Sequence, residues 1–97
     1  MKVIEERKEI YGDFKDIAKL SQNIKSLMFT AYEANESVVC EGLDMIIHKL
    51  ARIGSTGDGY KNLDSWKDLA AYSKLVHDYL ENQQGMIKTI VAYERTN

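Results

Sequence analysis

Apolar residues recur at helical spacing along most of the chain, and two such segments lie between residues 38 and 80. In the first, steps of three and four residues connect Val39, Leu43, Ile46, Leu50 and Ile53. In the second, the same steps connect Trp66, Leu69, Ser73, Val76 and Leu80. Because one face of an α-helix repeats every 3.6 residues, this spacing predicts two amphipathic helices. The glycine-rich turn between them predicts that the two helices pack antiparallel.

The rest of the pattern is also helical. Residues 2–10 have the spacing of a short helix, and Asp13 is placed to cap a long helix whose apolar face runs from Phe14 to Ala31. Gly85 is expected to separate a last short helix from the one before it. The apolar face of that last helix contains Met86, Ile87, Ile90 and Val91. We therefore expect an all-α fold, a bundle of three main helices with short N- and C-terminal helices.

Capping residues and glycines predict where the two central helices begin and end. Ser37 is expected to cap the first of them and Gly54 to end it. Asp64 or Ser65 is expected to cap the second. Ser65 followed three residues later by Asp68 also fits the capping-box pattern, which gives Asp68 a purely structural explanation.

Length and composition limit the class of protein. A chain of 97 residues supports one domain, 1–97, with a modest core, so we expect a homo-oligomer. The net charge is −2, with 13 basic and 15 acidic residues mixed along the chain, and this gives no strong nucleic-acid signal. A single cysteine, Cys40, rules out an intrachain disulfide and a Cys-rich zinc site. The apolar runs are too short for a membrane span and the N-terminus is too charged for a signal peptide, so a cytoplasmic protein is expected.

Four charged residues flank the turn between the central helices. Lys49 and Arg52 share one face at the end of the first helix, while Asp64 and Asp68 share one face at the start of the second. Carboxylates can hold Mg²⁺ and cations can neutralise phosphate, so this set predicts a site for a magnesium-bound nucleotide. The alternative is an interhelical salt-bridge cluster, with Arg52 paired to Asp64 or Asp68.

Tyrosines near the same turn extend this candidate site. The side chains of Tyr11, Tyr60 and Tyr72 offer stacking faces and hydroxyl groups. Tyrosines on helical apolar faces are more often part of the core.

Three segments, in order, resemble a family of small helical proteins common in phages and prophages, whose activity is not established. They are ERKEIYGDF (6–14), HKLARI (48–53) and DSWKDLAAY (64–72). The family pattern is an Arg, a Tyr-Gly-Asp before a helix, a Lys-x-x-Arg helix and an Asp-x-x-x-Asp-x-x-x-Tyr helix. Its positions correspond here to Arg7, Tyr11, Gly12, Asp13, Lys49, Arg52, Asp64, Asp68 and Tyr72. The resemblance covers roughly residues 6–80.

That family is in turn similar, more distantly, to the all-α nucleoside triphosphate pyrophosphatases of the MazG kind. Those enzymes hold magnesium with Glu-x-x-Glu and Glu-x-x-Asp on successive helices. Here Glu41-x-x-Asp44 stands for the first motif and Asp68 for the last acid of the second, but Ser65 occupies the position of the second motif's glutamate. The resemblance implies catalytic roles for Glu41, Asp44 and Asp68.

Three functions follow as hypotheses. The leading one is a phage-type accessory protein that binds a nucleotide, a cyclic nucleotide or another nucleotide-derived signal. In it Lys49 and Arg52 contact phosphate, and Asp64 and Asp68 hold Mg²⁺. The second is a divergent Mg²⁺-dependent pyrophosphohydrolase. The third is a non-catalytic protein-binding module, such as an inhibitor of a host or defence protein, that docks through its C-terminal helix.

Overall fold

The computed structural model describes residues 12–57 and 59–96, and these form four α-helices and no strand. We number the helices α1 (Phe14–Leu27), α2 (Phe29–Ala34), α3 (Ser37–Thr56) and α4 (Leu63–Thr96). The all-α prediction is confirmed for this part of the chain, and the helix predicted over residues 2–10 lies outside it. No helix in the described ranges is long and apolar enough to cross a membrane.

Helix α3 is the centre of the fold, because its main contacts are with α1 on one side and α4 on the other. Among the described residues it supplies most of the buried apolar side chains, namely Val39, Ile47 and Ala51, while α1 adds Ile17. Full burial of a side chain as large as valine or isoleucine stabilises the fold by about 1.5–3 kcal/mol. The interior is therefore small and built around one helix.

Helix α1 begins as predicted. The Asp13 side chain accepts a hydrogen bond from the backbone N–H of Lys15 at 3.1 Å, which is the expected N-cap. The long helix expected to reach Ala31 is instead interrupted at Met28, whose N–H lies 3.1 Å from the carbonyls of both Ile24 and Lys25. No glycine or proline marks this break.

Both predicted ends of α3 are displaced. Its N-cap is Glu36, which makes no side-chain capping bond, and Ser37 is already the first helical residue. The helix passes through Gly54 and ends at Gly57, whose φ of 69° lies in the left-handed region that favours glycine. The Gly57 N–H donates to the Ile53 carbonyl at 2.9 Å, which closes the last turn.

Helix α4 is continuous over 34 residues, so the prediction that Gly85 separates two helices is wrong. A glycine costs a helix only about 1 kcal/mol relative to alanine, and no proline follows to stop it. The start of α3 lies beside Tyr79, whose hydroxyl is hydrogen-bonded to Glu36, so α3 covers α4 only up to about residue 80. From residue 81 to residue 95 every described side chain except Gln83 is exposed. The molecule is consequently elongated, with extents of 66 × 24 × 21 Å.

Only part of the predicted apolar face of α4 packs on α3. Trp66 and Leu80 are 47% and 42% exposed. The half-buried apolar positions are Leu69, Tyr72, Val76 and Tyr79. Gly42 of α3 lies directly against Val76 of α4, since an added methyl group would overlap the Cγ2 atom of Val76.

Candidate functional site

The turn between α3 and α4 is fixed by buried polar side chains. Asn62 and Ser65 are completely buried. The side-chain amide of Asn62 donates to the Thr56 hydroxyl, and the Ser65 hydroxyl donates to the side-chain oxygen Oδ1 of Asn62 at 3.4 Å. Ser65 is therefore an internal contact of the first turn of α4 and does not form the capping box that the sequence predicts with Asp68. This network holds the end of α3 and the start of α4 in a defined relative position.

Lys49 and Asp68 join the two central helices in an ion pair. The Lys49 ammonium lies 3.2 Å from the Asp68 carboxylate, and the two side chains are 10% and 47% exposed. Of the four charged residues predicted to gather near the turn, these two are in contact. The sequence-based alternative assigned Arg52 as the cation that pairs with an acid here, but the cation opposite Asp68 is Lys49.

Arg52 lies one turn after Lys49 on α3, and the remaining residues of the predicted site have other surroundings. Asp64 is exposed in the first turn of α4, and its carboxylate accepts the backbone N–H of Ser65 at 3.0 Å. Glu41 and Tyr72 line a different region, an apolar groove of about 490 Å³ between α3 and α4. Tyr11 lies outside the described residues.

Asp44 points towards α1 and α2. Its carboxylate accepts the Tyr32 hydroxyl at 2.5 Å and lies 3.4 Å from the Lys25 ammonium. Burial, and next the hydrogen bond to Asp44, raise the pKa of Tyr32 well above its ordinary value. The Asp44 carboxylate therefore contacts α1 and α2 and faces away from α4.

The three acids implied by the pyrophosphatase resemblance therefore occupy three places. Glu41 lies at the apolar groove, Asp44 contacts α1 and α2, and Asp68 pairs with Lys49. Within the described residues no group of three or more His, Cys, Asp or Glu side chains is arranged to hold a metal ion.

His48 is a residue of this region that was not among the predicted site residues. It is half-buried on α3, and its pKa is lowered from 6.5, first by burial and then by the positive charges of Arg52, Lys49 and Lys25. Arg52, one turn along α3, and the adjacent Lys49 are visible in the sequence. The third cation, Lys25, comes from α1, and only the packing of the helices reveals it.

Comparisons with protein-family models, with curated proteins and with solved structures find no match to this chain. The resemblance to the phage family and to MazG-like enzymes stays a prediction.

Proposed function

We propose that this protein binds a phosphate-bearing small molecule, a nucleotide or a nucleotide-derived signal, on the surface of α3 around His48. The observation that carries this proposal is the convergence of three cations on one histidine. Lys25, Lys49 and Arg52 all act on His48, and all of them disfavour its protonation. Lys25 and Lys49 are also paired with Asp44 and Asp68, but the charges that act on His48 are positive, and a positive field of this kind attracts an anion.

The side chains around His48 suit phosphate oxygens in different ways. Arg52 carries a planar guanidinium that can donate two parallel hydrogen bonds to one phosphate. A neutral imidazole can donate through one ring nitrogen, so His48 adds a donor without repelling a nearby cation. Lys49 is held by Asp68, which fixes the position of its ammonium before any ligand arrives.

The arrangement of the acids favours binding over hydrolysis. A pyrophosphohydrolase needs carboxylates that converge on magnesium, whereas Glu41, Asp44 and Asp68 contact different parts of the molecule. In this proposal any magnesium enters with the nucleotide and is not held by a set of carboxylates within one chain. The enzymatic alternative is favoured if purified protein releases pyrophosphate from a nucleoside triphosphate and Asp68→Asn abolishes the release.

Titration calorimetry tests the binding proposal with ATP, AMP, a cyclic dinucleotide and inorganic phosphate, each with and without Mg²⁺. We expect at least one nucleotide to bind, and Arg52→Gln to weaken its binding by tenfold or more. The matched control is Arg95→Gln, which removes an exposed arginine near the far end of α4 and should leave binding unchanged. Equal affinities of the two variants, or no binding by any of these probes, would contradict the proposal.

A second candidate function, binding of a protein, is favoured by a separate observation. Five large apolar side chains in the last part of α4 are between 39% and 69% exposed, namely Met86, Ile87, Ile90, Val91 and Tyr93. Exposed apolar surface of this kind marks interaction sites.

A further inference from the structure

One row of side chains runs along α4 at alternating steps of three and four residues. Its members are Leu69, Tyr72, Val76, Tyr79, Gln83, Met86, Ile90 and Tyr93. We call this row the α4 seam. Its first half is half-buried against α3, and its last three members, beyond the reach of α3, are 59%, 54% and 69% exposed. Within the described part of the chain, the seam thus continues for about two heptads without a helix to pack against.

The opposite face of α4 is charged. Lys74, Glu81, Lys88 and Arg95 follow one another at intervals of seven residues, and all are exposed. An apolar seam at a 3–4 spacing with a charged row behind it is the pattern of a helix that pairs with another helix. Ile87, which is 60% exposed, widens the apolar face next to the seam.

We propose that the second half of α4, residues 81–96, pairs antiparallel with the same segment of a second copy of this chain. The direction follows from the position of α3, which already covers the seam along the first half of α4. A parallel pair would bring the two α3 helices into the same space between the two α4 helices. An antiparallel pair places them at opposite ends, where each free half of α4 ends near the start of the other copy's α3.

The seam also fixes the register of this pair. The seam has two kinds of position, those that follow the preceding member by three residues and those that follow it by four. In an antiparallel coiled coil a position of one kind packs against a position of the other kind across the interface. With the two-fold axis close to residue 88, Met86 of each copy lies opposite Ile90 of the other. Gln83 then lies opposite Tyr93. A single polar residue in such a seam disfavours other registers, which is the role assigned here to Gln83.

The surface available is sufficient for a stable pair. Leu80, Met86, Ile87, Ile90 and Tyr93 are between 42% and 69% exposed. Taking about 200 Å² for a side chain of this size, they present roughly 550 Å² per copy, or roughly 1,100 Å² for the pair. A specific interface needs about 1,000 Å² in total, so the free half of α4 together with Leu80, the residue just before it, meets this requirement by self-pairing.

Light scattering of the full chain after gel filtration tests the pairing. The wild type is expected at twice the chain mass of 11.1 kDa, and the seam variant Met86→Lys with Ile90→Lys at the chain mass. The matched control, Gln84→Lys with Ala92→Lys, adds the same charge to the same segment at exposed positions off the seam and should remain a dimer. A wild type that is monomeric at every concentration, or a seam variant that keeps the dimer mass, overturns the proposal.

Disulfide trapping tests the direction, in a background where Cys40→Ser removes the native thiol. We expect a mixture of Gln83→Cys and Tyr93→Cys chains to form a cross-linked heterodimer, while neither variant cross-links alone. Each introduced cysteine would lie about 15 Å along the axis from its own counterpart, beyond the reach of a disulfide. Self-cross-linking of each variant without heterodimer indicates a parallel pair and overturns the antiparallel arrangement.

Discussion

The Lys49 ammonium lies 3.2 Å from the Asp68 carboxylate, but the two side chains have unequal access to water. Lys49 is 10% exposed and Asp68 is 47% exposed. If the pair is broken, Asp68 can be hydrated and Lys49 cannot. The two partners should therefore respond differently to substitution.

We predict that Asp68→Ala lowers the free energy of unfolding by about 1–3 kcal/mol, because it leaves a nearly buried ammonium without its carboxylate. Lys49→Met should cost only about 0–1 kcal/mol, since methionine fills the site without a charge to desolvate. Urea denaturation of both variants measures the difference. Equal losses would show that the pair contributes symmetrically and would contradict this account.

Lys49→Met also distinguishes an effect on folding from an effect on ligand binding. Because Lys49→Met is expected to fold normally, a loss of nucleotide binding in this variant can be assigned to the missing ammonium.

Two helical glycines are predicted to respond to alanine in opposite directions. At Gly42 the added methyl group overlaps Val76, and a β-branched side chain has little freedom to move away, so we expect Gly42→Ala to destabilise by about 1–3 kcal/mol. At Gly85 nothing lies within 4 Å, so Gly85→Ala should stabilise the helix by about 0.5–1 kcal/mol. Thermal denaturation followed by circular dichroism measures both. A neutral Gly42→Ala would mean that α3 and α4 can separate at this point at little cost.

Asn62 is predicted to be the most sensitive polar residue of the α3–α4 turn. Its side chain is completely buried, donates to Thr56 and accepts from Ser65. Asn62→Ala leaves the buried Ser65 hydroxyl without its acceptor and removes one bond of Thr56, at a cost of about 1–3 kcal/mol. Asn82→Ala on exposed α4 is the control and should change the unfolding free energy by less than about 0.5 kcal/mol. If both variants unfold at the same urea concentration, the turn is not held by this network.

His48 is predicted to make stability depend on pH. Its folded pKa lies below 6.5, so the unfolded chain binds a proton first as the pH falls. Stability is then fully present above about pH 6.5 and is lost as the pH falls from there through the lowered folded pKa. Urea denaturation between pH 8 and pH 5 should show this loss, and His48→Gln should reduce it. Replacing His77, the exposed histidine of α4, should leave the loss in place.

The sequence determined those features that depend on neighbouring residues. Helical spacing predicted the all-α fold, and Asp13 capped α1 because an aspartate side chain reaches the free N–H groups of the turn that follows it. The charges at the end of α3 and the start of α4 were expected to meet, since a short turn brings helix ends together. The 3–4 spacing of the α4 seam is equally present in the sequence. The spacing alone does not show which part of the seam packs on another helix. The structure shows that α3 packs on the first half and does not reach the second half.

Tertiary structure decided which of these residues meet and which helix ends are used. Gly54 and Gly85 did not end their helices, because packing and good helix-forming neighbours outweigh the small cost of one glycine. Lys49 meets Asp68 because α3 and α4 approach closely near that turn, and Asp44 faces α1 and α2 because Lys25 and Tyr32 lie there. The cations around His48 come from two helices, and the spacing within one helix cannot specify how another packs against it. The local sequence pattern thus determined the helices, and the packing of side chains between the helices determined which residues form the candidate site.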